Sequence, residues 1–426
     1  MGLAARRRCT MEVVALVLLR LALMAAAQQV PCYFIFGDSL VDNGNNNNLA
    51  SLARADYRPY GIDFPQGPTG RFCNGLTTVD VIAQLLGFND LIPPYISSNP
   101  QSLLSGANFA SAAAGIREET GRQLGGRITM SGQIQNYRSA VSAIVNVLGD
   151  EDSAANHLSQ CIFTIGMGGN DYLNNYFMPQ FYSTGSQYTP EDYADNLIES
   201  YTQHLTTLYN YGARKVALIG VGPVGCSPSE LSRYSADGVT CVERINSAVQ
   251  LFNNRLISVV DHFNTNFAGA HFIYDSVYPM LAVVGWEGTM GRSHASLSNC
   301  LVPVGMSICS GMPFTRLRQQ TLSLEGDLTV LHHLRTRIPW ISKAWQQFNG
   351  GSRFTVSNTG CCGVGRNRGQ ITCLPFQMPC PNRNEFLYWD AFHPSEAANI
   401  LIARRAYSAQ APSDSHPMDI RHLAAL

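Results

Sequence analysis

The 426-residue sequence has little charge: only 14% of its residues are Asp, Glu, Lys or Arg, whereas 45% are hydrophobic. This balance excludes a disordered chain and predicts a globular protein with a large core, built as one big α/β domain or two ordinary ones. No run of five or more basic residues follows residue 27. We therefore expect neither nucleic acid nor an anionic membrane surface as a partner.

The sequence also lacks an apolar run long enough to span a membrane. Its first 27 residues contain Arg6-Arg7-Arg8, an apolar stretch from Val13 to Leu23 that one arginine interrupts, and three alanines that end at Ala27. These are the three parts of a secretory signal peptide, which we expect to be removed near Ala27. The mature chain, residues 28–426, then has a net charge of about −4. We expect it to be secreted to the extracellular space (cell wall or apoplast), with no integral membrane segment.

No Asn-x-Ser/Thr sequence is present, so N-glycosylation is not expected. Cysteine is plentiful by contrast: Cys9 leaves with the signal peptide, and the other eleven of the twelve cysteines enter an oxidising compartment. An odd count leaves at least one free thiol. We expect this thiol to be Cys161, because it lies inside the apolar run 161–165 and suits a small buried hydrophobic position.

Six other cysteines are candidates for disulfide bonds. Cys226 and Cys241 bracket a short loop and could pair with each other. A dense cluster near the C-terminus consists of Cys361, Cys362, Cys373 and Cys380. Zinc is the alternative for this cluster, but its spacings are not paired C-x-x-C and the compartment is oxidising. Two disulfides are therefore favoured, and no metal is expected.

Short apolar runs alternate with helical patterns along the chain. Runs at 32–35, 161–165, 215–219 and 271–274 are typical of buried strands, and helical spacing predicts helices over 77–86, 190–211, 242–263 and 395–406. Strands and helices that alternate in this way favour right-handed crossovers and a parallel sheet. The predicted fold class is therefore α/β.

The run after the third predicted strand, Gly220-Val221-Gly222-Pro223-Val224-Gly225, matches the G-x-G-x-x-G pattern of dinucleotide-binding folds. Pro223 is poorly suited to opening a helix whose N–H groups would hold a pyrophosphate. We therefore interpret this run as a loop near the rim of the sheet and expect no dinucleotide cofactor.

The stretch Phe36-Gly37-Asp38-Ser39 ends the first predicted strand. It reads as a buried strand that delivers a serine to the rim of the sheet, where ligands of open α/β sheets bind. Considered alone, Gly-Asp-Ser is also ordinary turn chemistry. A nucleophilic serine needs in addition a base, an acid that orients the base, and N–H donors for an oxyanion. Asn170, Asp390 and His393 are candidates for these roles.

Asp390 and His393 lie three residues apart at the predicted entrance of the last helix. Considered singly, Asp390 is explained as a solvated acid near a helix N-terminus, and His393 is explained as a hydrogen-bonded core histidine. Together they allow His393 to take the proton of Ser39, while Asp390 fixes the tautomer of the ring and steadies the imidazolium.

Residues 286 to 351 interrupt the alternation of strands and helices. This segment of some sixty residues shows no sustained hydrophobic period, and it contains Cys300 and Cys309. So long a loop is unusual inside a compact domain. We expect either a lid or insertion, or a segment that does not belong to the native sequence.

Five motifs, FGDSLVDNGNN, GANFASAAAGI, GGNDY, TGCCG and WDAFHP, occur in this order and resemble the plant GDSL esterase/lipase branch of the SGNH hydrolases. The resemblance covers Val30 to about Trp286 and Arg353 to Leu426. It implies a flavodoxin-like three-layer α/β/α sandwich with a central parallel sheet, formed by residues 28–426 as a single domain. It also implies a secreted serine hydrolase that cleaves small-molecule carboxylic esters and requires neither a metal nor an organic cofactor.

Position by position, the resemblance makes Ser39 the nucleophile, and Asp390 and His393 the acid and the base. It makes Asn170 an oxyanion donor beside the N–H of Ser39. In the family, a glycine of the second motif also donates its backbone N–H to the oxyanion. Ala112 stands at the aligned position here, and it keeps this backbone donor if its φ is negative.

The segment 286–351 departs from the family pattern, and we hypothesise that it is translated intron or a lineage-specific addition. Two alternative functions stay open. The hydrolase would cleave lipid or small acyl esters, whereas an acyltransferase would form the same acyl-enzyme and pass the acyl group to a hydroxyl instead of water. A catalytically silent wall or carbohydrate-binding protein would keep only the fold.

Overall fold

A computed structural model describes residues 28–278 and 354–426 of the chain. The predicted signal peptide (1–27), the predicted insertion (286–351) and its two cysteines lie outside the described residues. The described residues on the two sides of the gap belong to one compact unit.

Seven strands of the described part of the chain form two sheets. The strands are β1 (Tyr33–Gly37), β2 (Ile162–Gly166), β3 (Lys215–Ile219), β4 (His271–Asp275), β5 (Val356–Gly360), β6 (Phe386–Tyr388) and β7 (Ser415–His416). The main sheet has the order β1-β2-β3-β4-β7, in which β1 to β4 are parallel and β7 is antiparallel to β4. The small sheet pairs β5 with β6. The first four strands agree within two residues with the predicted ones.

A further segment, residues 107–111, runs parallel to the outer edge of β1. The Ile35 N–H donates to Ala107 O (3.1 Å), the Phe109 N–H donates to Ile35 O (2.7 Å) and the Ser111 N–H donates to Gly37 O (3.1 Å). The segment lies between β1 and β2 in sequence but outside β1 in space. The chain therefore follows the flavodoxin-like order 2-1-3-4-5, and the predicted fold class is confirmed.

Within the described residues, eight α-helices of five or more residues surround the sheet. They are α1 (Thr78–Leu85), α2 (Met130–Leu148), α3 (Glu151–Ser159), α4 (Pro190–Asn210), α5 (Pro228–Tyr234), α6 (Glu243–Asn266), α7 (Glu396–Tyr407) and α8 (Ile420–Ala424). Further helical turns of three to five residues lie at Tyr95–Ser97, Ser102–Ser105, Arg122–Leu124, Gly169–Asp171, Tyr172–Tyr176, Thr184–Gln187, Val224–Cys226, Arg366–Arg368 and Arg383–Glu385. No helix in the described ranges combines the length and the apolar character needed to cross a membrane.

Side-chain caps fix where most of these helices begin. A backbone N–H of the first turn donates to the side chains of Thr77, Thr129, Asp150, Thr189, Ser227, Ser395 and Asp419. Each such cap stabilises its helix by about 1 kcal/mol. The cap at Ser395 bears on function, because it starts α7 directly after the candidate base.

Alternate side chains of each strand face two different helical layers. Phe34 and Phe36 pack in one core with α2, α3, α4 and α6. Tyr33 and Ile35 pack in a second core with α1, α7 and α8. The period of two along β1 thus places helices on both faces of the sheet, which completes the three-layer arrangement.

The cysteine predictions are confirmed in part. Cys226 bonds Cys241, Cys361 bonds Cys380, and Cys362 bonds Cys373. The expectation that Cys161 is free is wrong, because Cys161 bonds Cys32. These two residues precede the adjacent parallel strands β1 and β2, and their Cα atoms lie 4.8 Å apart, a pairing that only the sheet register reveals.

Cys73 is instead the free thiol among the described cysteines. It is buried, and its S–H donates to Gly75 O at 2.9 Å. Burial raises the pKa of this thiol well above its ordinary value. Cys73 is therefore an inert buried group rather than a reactive nucleophile.

Glu230 on α5 makes the stability of the fold depend on pH. Its carboxyl is 1% exposed, and burial raises its pKa to about 7. The folded state therefore keeps the Glu230 carboxyl neutral up to about pH 7, whereas in the unfolded chain this carboxyl ionises near pH 4.5. The stability that this difference supplies is complete below pH 4.5 and is lost as the pH rises through 7. Relative to Glu230→Gln, the wild type should lose roughly 3 kcal/mol of unfolding free energy between pH 4.5 and 8. Urea unfolding at both pH values measures this difference.

The matched control for this experiment is Glu199→Gln, at an exposed position of α4. It should leave the pH dependence of unfolding as it is in the wild type. If Glu230→Gln and the wild type lose stability in parallel, Glu230 is not the titrating group.

Candidate active site

Two of the candidate residues follow strands of the main sheet, and the other two follow a strand of the small sheet. Ser39 follows β1, and Asn170 follows β2. Asp390 and His393 follow β6 and precede α7. The order of the sheet reverses at β1, and ligands of such folds bind in the crevice at this point. Residues more than three hundred positions apart in the chain therefore meet there.

Ser39, His393 and Asp390 form a continuous hydrogen-bonded chain. The Ser39 Oγ lies 2.8 Å from His393 Nε2, and His393 Nδ1 lies 2.8 Å from each carboxylate oxygen of Asp390. An ionised carboxylate only accepts hydrogen bonds, so we assign the ring proton to Nδ1, and Nε2 is left to accept the Ser39 hydroxyl proton. Asp390 is fully buried and Ser39 is half-buried.

Every hydrogen-bond partner of Asp390 is a donor. The backbone N–H groups of Phe392 and His393 donate to Oδ1, each at 2.9 Å, and the Tyr60 hydroxyl donates to Oδ2 at 2.6 Å. Burial by itself would raise the pKa of Asp390, but His393 and these hydrogen bonds outweigh it and hold the pKa below its ordinary value. The carboxylate is therefore kept ionised.

Two aromatic residues around this chain were missed in the sequence analysis. Tyr60 is buried and contacts Asp390, while the Phe72 ring packs on the His393 ring with centroids 4.9 Å apart. Both belong to the segment between the first motif and α1, and no local pattern in that segment signals contact with the C-terminal motif.

The turn that presents Ser39 is fixed by two buried polar side chains. Asp38 Oδ1 accepts the Leu40 N–H at 3.0 Å. Gln133 on α2 binds both backbone polar groups of Gly37. Its Oε1 accepts the Gly37 N–H (3.0 Å), and its Nε2 donates to Gly37 O (2.8 Å). Burial raises the pKa of the Asp38 carboxyl to about 6. Gln133 was also missed, since the contact joins residues 96 positions apart.

Gly37 is required by close packing in this turn. A Cβ at this position would lie 2.6 Å from Val41 Cγ2 and 2.7 Å from Gly166 O, both far inside contact distance. Any larger residue would therefore displace the peptide that precedes Ser39.

Asn170 has an amide hydrogen available for a ligand. Its Nδ2 donates to Ala114 O at 2.9 Å, and its Oδ1 accepts from Asn174 Nδ2 at 2.8 Å. These two bonds fix the amide plane, and the second Nδ2 hydrogen has no partner among the described residues. The Ser39 N–H likewise has none within 28–278 and 354–426. Two N–H donors thus remain for an oxyanion.

The backbone N–H of Ala112, the third expected oxyanion donor, already makes a hydrogen bond within the protein. Its N–H donates to Asp42 Oδ2 at 3.0 Å, and Asp42 is fully buried. The segment that carries Ala112 lies next to the nucleophile turn, as the alignment implies. This geometry nevertheless argues against Ala112 as a donor, because its N–H would have to leave a buried carboxylate to reach the substrate.

Among the described residues, one group of potential metal ligands comes together: Cys32, His157 and Cys161. Two of its members are the sulfurs of a disulfide, and a thiolate is the form of cysteine that binds metal. The group lies at the opposite ends of β1 and β2 from Ser39. It is therefore separate from the candidate active site.

Comparison with known proteins places this site in a family. A family model described as GDSL-like lipase/acylhydrolase matches residues 33–406. Two relatives from Arabidopsis thaliana are GDSL esterase/lipase At5g45670, 54% identical over 93% of this chain and 92% of the relative, and GDSL esterase/lipase At4g18970, 51% identical over 99% of both. A third, GDSL esterase/lipase At1g29660, is 53% identical over 94% and 93%. The chain therefore belongs to the GDSL lipase/acylhydrolase family and is a carboxylic ester hydrolase.

Proposed function

We propose that the chain hydrolyses esters through an acyl-enzyme intermediate on Ser39. The observation that carries this proposal is the 2.8 Å contact between Ser39 Oγ and His393 Nε2. A serine hydroxyl is a poor nucleophile unless a base accepts its proton, and this contact supplies the base. Half-burial of Ser39 leaves its hydroxyl accessible to a substrate from one side.

The proposed reaction has two steps. Ser39 Oγ attacks the ester carbonyl carbon while its proton passes to His393 Nε2; the C–O bond to the alcohol breaks, and His393 returns the proton to the departing alcohol. In the second step, water loses a proton to His393 and attacks the acyl carbon, and Ser39 recovers the proton as the acid leaves. Asp390 stabilises the imidazolium in both steps by its negative charge.

The negative charge on the carbonyl oxygen is proposed to be stabilised by the Ser39 N–H and the free Nδ2 hydrogen of Asn170. Both donors are held by the fold before substrate arrives, and such preorganised donors cost no reorganisation during the reaction. Ala112 is left out of this set because of its hydrogen bond to Asp42.

Replacement of Asn170 tests the oxyanion assignment. Asn170→Ala should lower kcat by roughly 10²- to 10³-fold with little change in KM, because this donor matters most when the oxygen carries charge. Steady-state kinetics with p-nitrophenyl butyrate measure the effect. Asn156→Ala, at an exposed position of α3, is the control and should match the wild type. If Asn170→Ala raises KM and leaves kcat unchanged, Asn170 contributes to ground-state binding of the substrate instead.

Labelling and product analysis test the activity itself. A fluorophosphonate should label the folded protein once, on the peptide that contains Ser39. Incubation with p-nitrophenyl butyrate and a polyol should give butyric acid as the main product. A dominant polyol ester would favour the acyltransferase, and failure to label would favour the silent binding protein.

We also propose that the protein is secreted and acts on lipid or small acyl esters. The four disulfides of the described residues suit an oxidising compartment, in agreement with the signal-peptide pattern of residues 1–27. N-terminal sequencing of protein recovered from the extracellular fluid should find a mature end near Gln28. A start at Met1 in intracellular protein would overturn secretion.

A further inference from the structure

An apolar cavity of about 120 Å³ opens beside the turn that carries Ser39. It lies at the rim of the sheet, with Gly166 of β2 and Ile219 of β3 on one side, and it reaches Ile82 of α1 and Ile402 of α7. These two isoleucines are buried side chains of the second core, where α1 and α7 pack against the sheet.

Sequence neighbours of three residues of the proposed machinery line the cavity. The residues on both sides of Ser39, Asp38 and Leu40, line it, as does Gly169, which precedes Asn170. Phe392 and Pro394, on both sides of His393, line it as well. The cavity therefore borders the proposed active site.

The chemistry of the walls favours a hydrocarbon over a hydroxyl-rich group. Five of the polar side chains that line the cavity already have partners. Thr164 Oγ1 accepts from Tyr33, Asn399 Nδ2 donates to Leu76 O, and Thr78 Oγ1 donates to Asn399 Oδ1. Ser227 Oγ accepts the Glu230 N–H, and Asp38 Oδ1 accepts the Leu40 N–H. A glycerol or sugar placed here would leave its hydroxyls without hydrogen bonds, which is costly in a buried site. A saturated chain has no such requirement.

We propose that this cavity binds the acyl chain of the ester and so makes the protein selective for short acyl chains that fill it. This inference rests on the proposed acyl-enzyme mechanism. A cavity of about 150 Å³ with aliphatic and aromatic walls holds one benzene molecule, so a cavity of this size accommodates roughly four to six carbons. The acyl chain occupies the cavity during both steps, whereas the alcohol leaves after the first.

Two isomeric esters separate the acyl side from the alcohol side. Ethyl hexanoate carries six carbons on the acyl side, and hexyl acetate carries six carbons on the alcohol side. The wild type should prefer ethyl hexanoate by at least about tenfold in kcat/KM, since a single methylene in a fitted apolar pocket changes this value by about tenfold or more. A preference for hexyl acetate would place the alcohol in the cavity and overturn the proposal.

Variants of Ile402 test the cavity directly. Ile402→Phe fills it and should lower the ratio of kcat/KM for p-nitrophenyl hexanoate over acetate by at least about tenfold. Ile402→Ala enlarges it and should move the preferred chain length upward by two or more carbons. The control is Ile400→Ala on the same helix, a partly buried residue outside the cavity, which should keep the wild-type profile.

The two levels of the proposal fail in different ways. If the wild type neither reacts with a fluorophosphonate nor hydrolyses the acetate, the acyl-enzyme mechanism fails. If both reactions occur but the Ile402 variants keep the wild-type chain-length profile, the mechanism stands and the acyl-chain assignment is wrong. Fluorophosphonate labelling of each variant shows that it is folded, and because Ala and Phe shift the profile in opposite directions, either variant alone is decisive.

Discussion

Ser39→Ala is expected to lower kcat for ester hydrolysis by roughly 10⁴- to 10⁶-fold, the range found when a serine nucleophile that works with a histidine is removed. The physical reason is that Oγ is the atom proposed to bond the acyl group, and no other hydroxyl is hydrogen-bonded to His393 within the described residues. The substitution removes one hydrogen bond at a half-buried position, so Tm should stay within roughly 2 °C of the wild type. Stopped assays with p-nitrophenyl butyrate, together with thermal melting, measure both effects.

The chain offers a matched control for this substitution. Ser276 follows β4 as Ser39 follows β1, and each is preceded by an aspartate, Asp275 or Asp38. Ser276→Ala should keep wild-type activity and fluorophosphonate labelling. Retention of a tenth or more of the activity in Ser39→Ala, with the Ser276 variant also active, would remove Ser39 from the reaction.

Ser39 and Ser276 illustrate how much of the candidate site could be predicted from the sequence alone. A strand that ends in an aspartate and a serine occurs at both β1 and β4, and the short-range pattern does not separate them. What distinguished Ser39 was its conjunction with the candidates Asn170, Asp390 and His393, together with the order of five motifs along the chain. Asp390 and His393 are three residues apart, so local spacing was sufficient to propose them as a pair.

The contacts that the sequence did not predict join distant segments. Tyr60 reaches Asp390 across 330 positions, and Gln133 reaches Gly37 across 96. Cys32 and Cys161 pair because β1 and β2 are in register, although each looked like one more apolar position of a strand. The Ala112 N–H is a further case, because the motif identifies the residue but does not show that its N–H donates to Asp42, 70 positions away.

Asp390→Asn is expected to lower kcat by about 10⁴-fold while the fold is retained. The asparagine oxygen can replace Oδ1 and keep the backbone N–H bonds of Phe392 and His393. Its NH₂ group would then face the Tyr60 hydroxyl, which can turn and accept a hydrogen bond. The geometry survives, but the buried negative charge that stabilises the His393 imidazolium is gone. Kinetics with p-nitrophenyl butyrate and thermal melting of the variant measure these effects.

A second Asp-x-x-His pair in the chain provides the control for Asp390→Asn. Asp419 Oδ1 accepts both the His422 backbone N–H (3.0 Å) and His422 Nδ1 (2.6 Å), which repeats the local geometry of Asp390 and His393. Asp419 caps α8, however, and the His422 side chain is 72% exposed. Asp419→Asn should therefore cost stability without lowering kcat. Equal losses of activity in the two variants would mean that Asp390 acts only by holding the fold.

Tyr60→Phe separates the charge of Asp390 from its orientation. This variant keeps the carboxylate and its bonds to Phe392 and His393 but removes the 2.6 Å hydrogen bond to Oδ2. We expect a loss of roughly tenfold in kcat, because one hydrogen bond to a charged group contributes about 1.5–3 kcal/mol and only part of that reaches the transition state. Asp390→Asn should therefore be far more damaging than Tyr60→Phe. If the two variants lose activity to the same extent, orientation by Tyr60, rather than the negative charge beside His393, is what Asp390 requires.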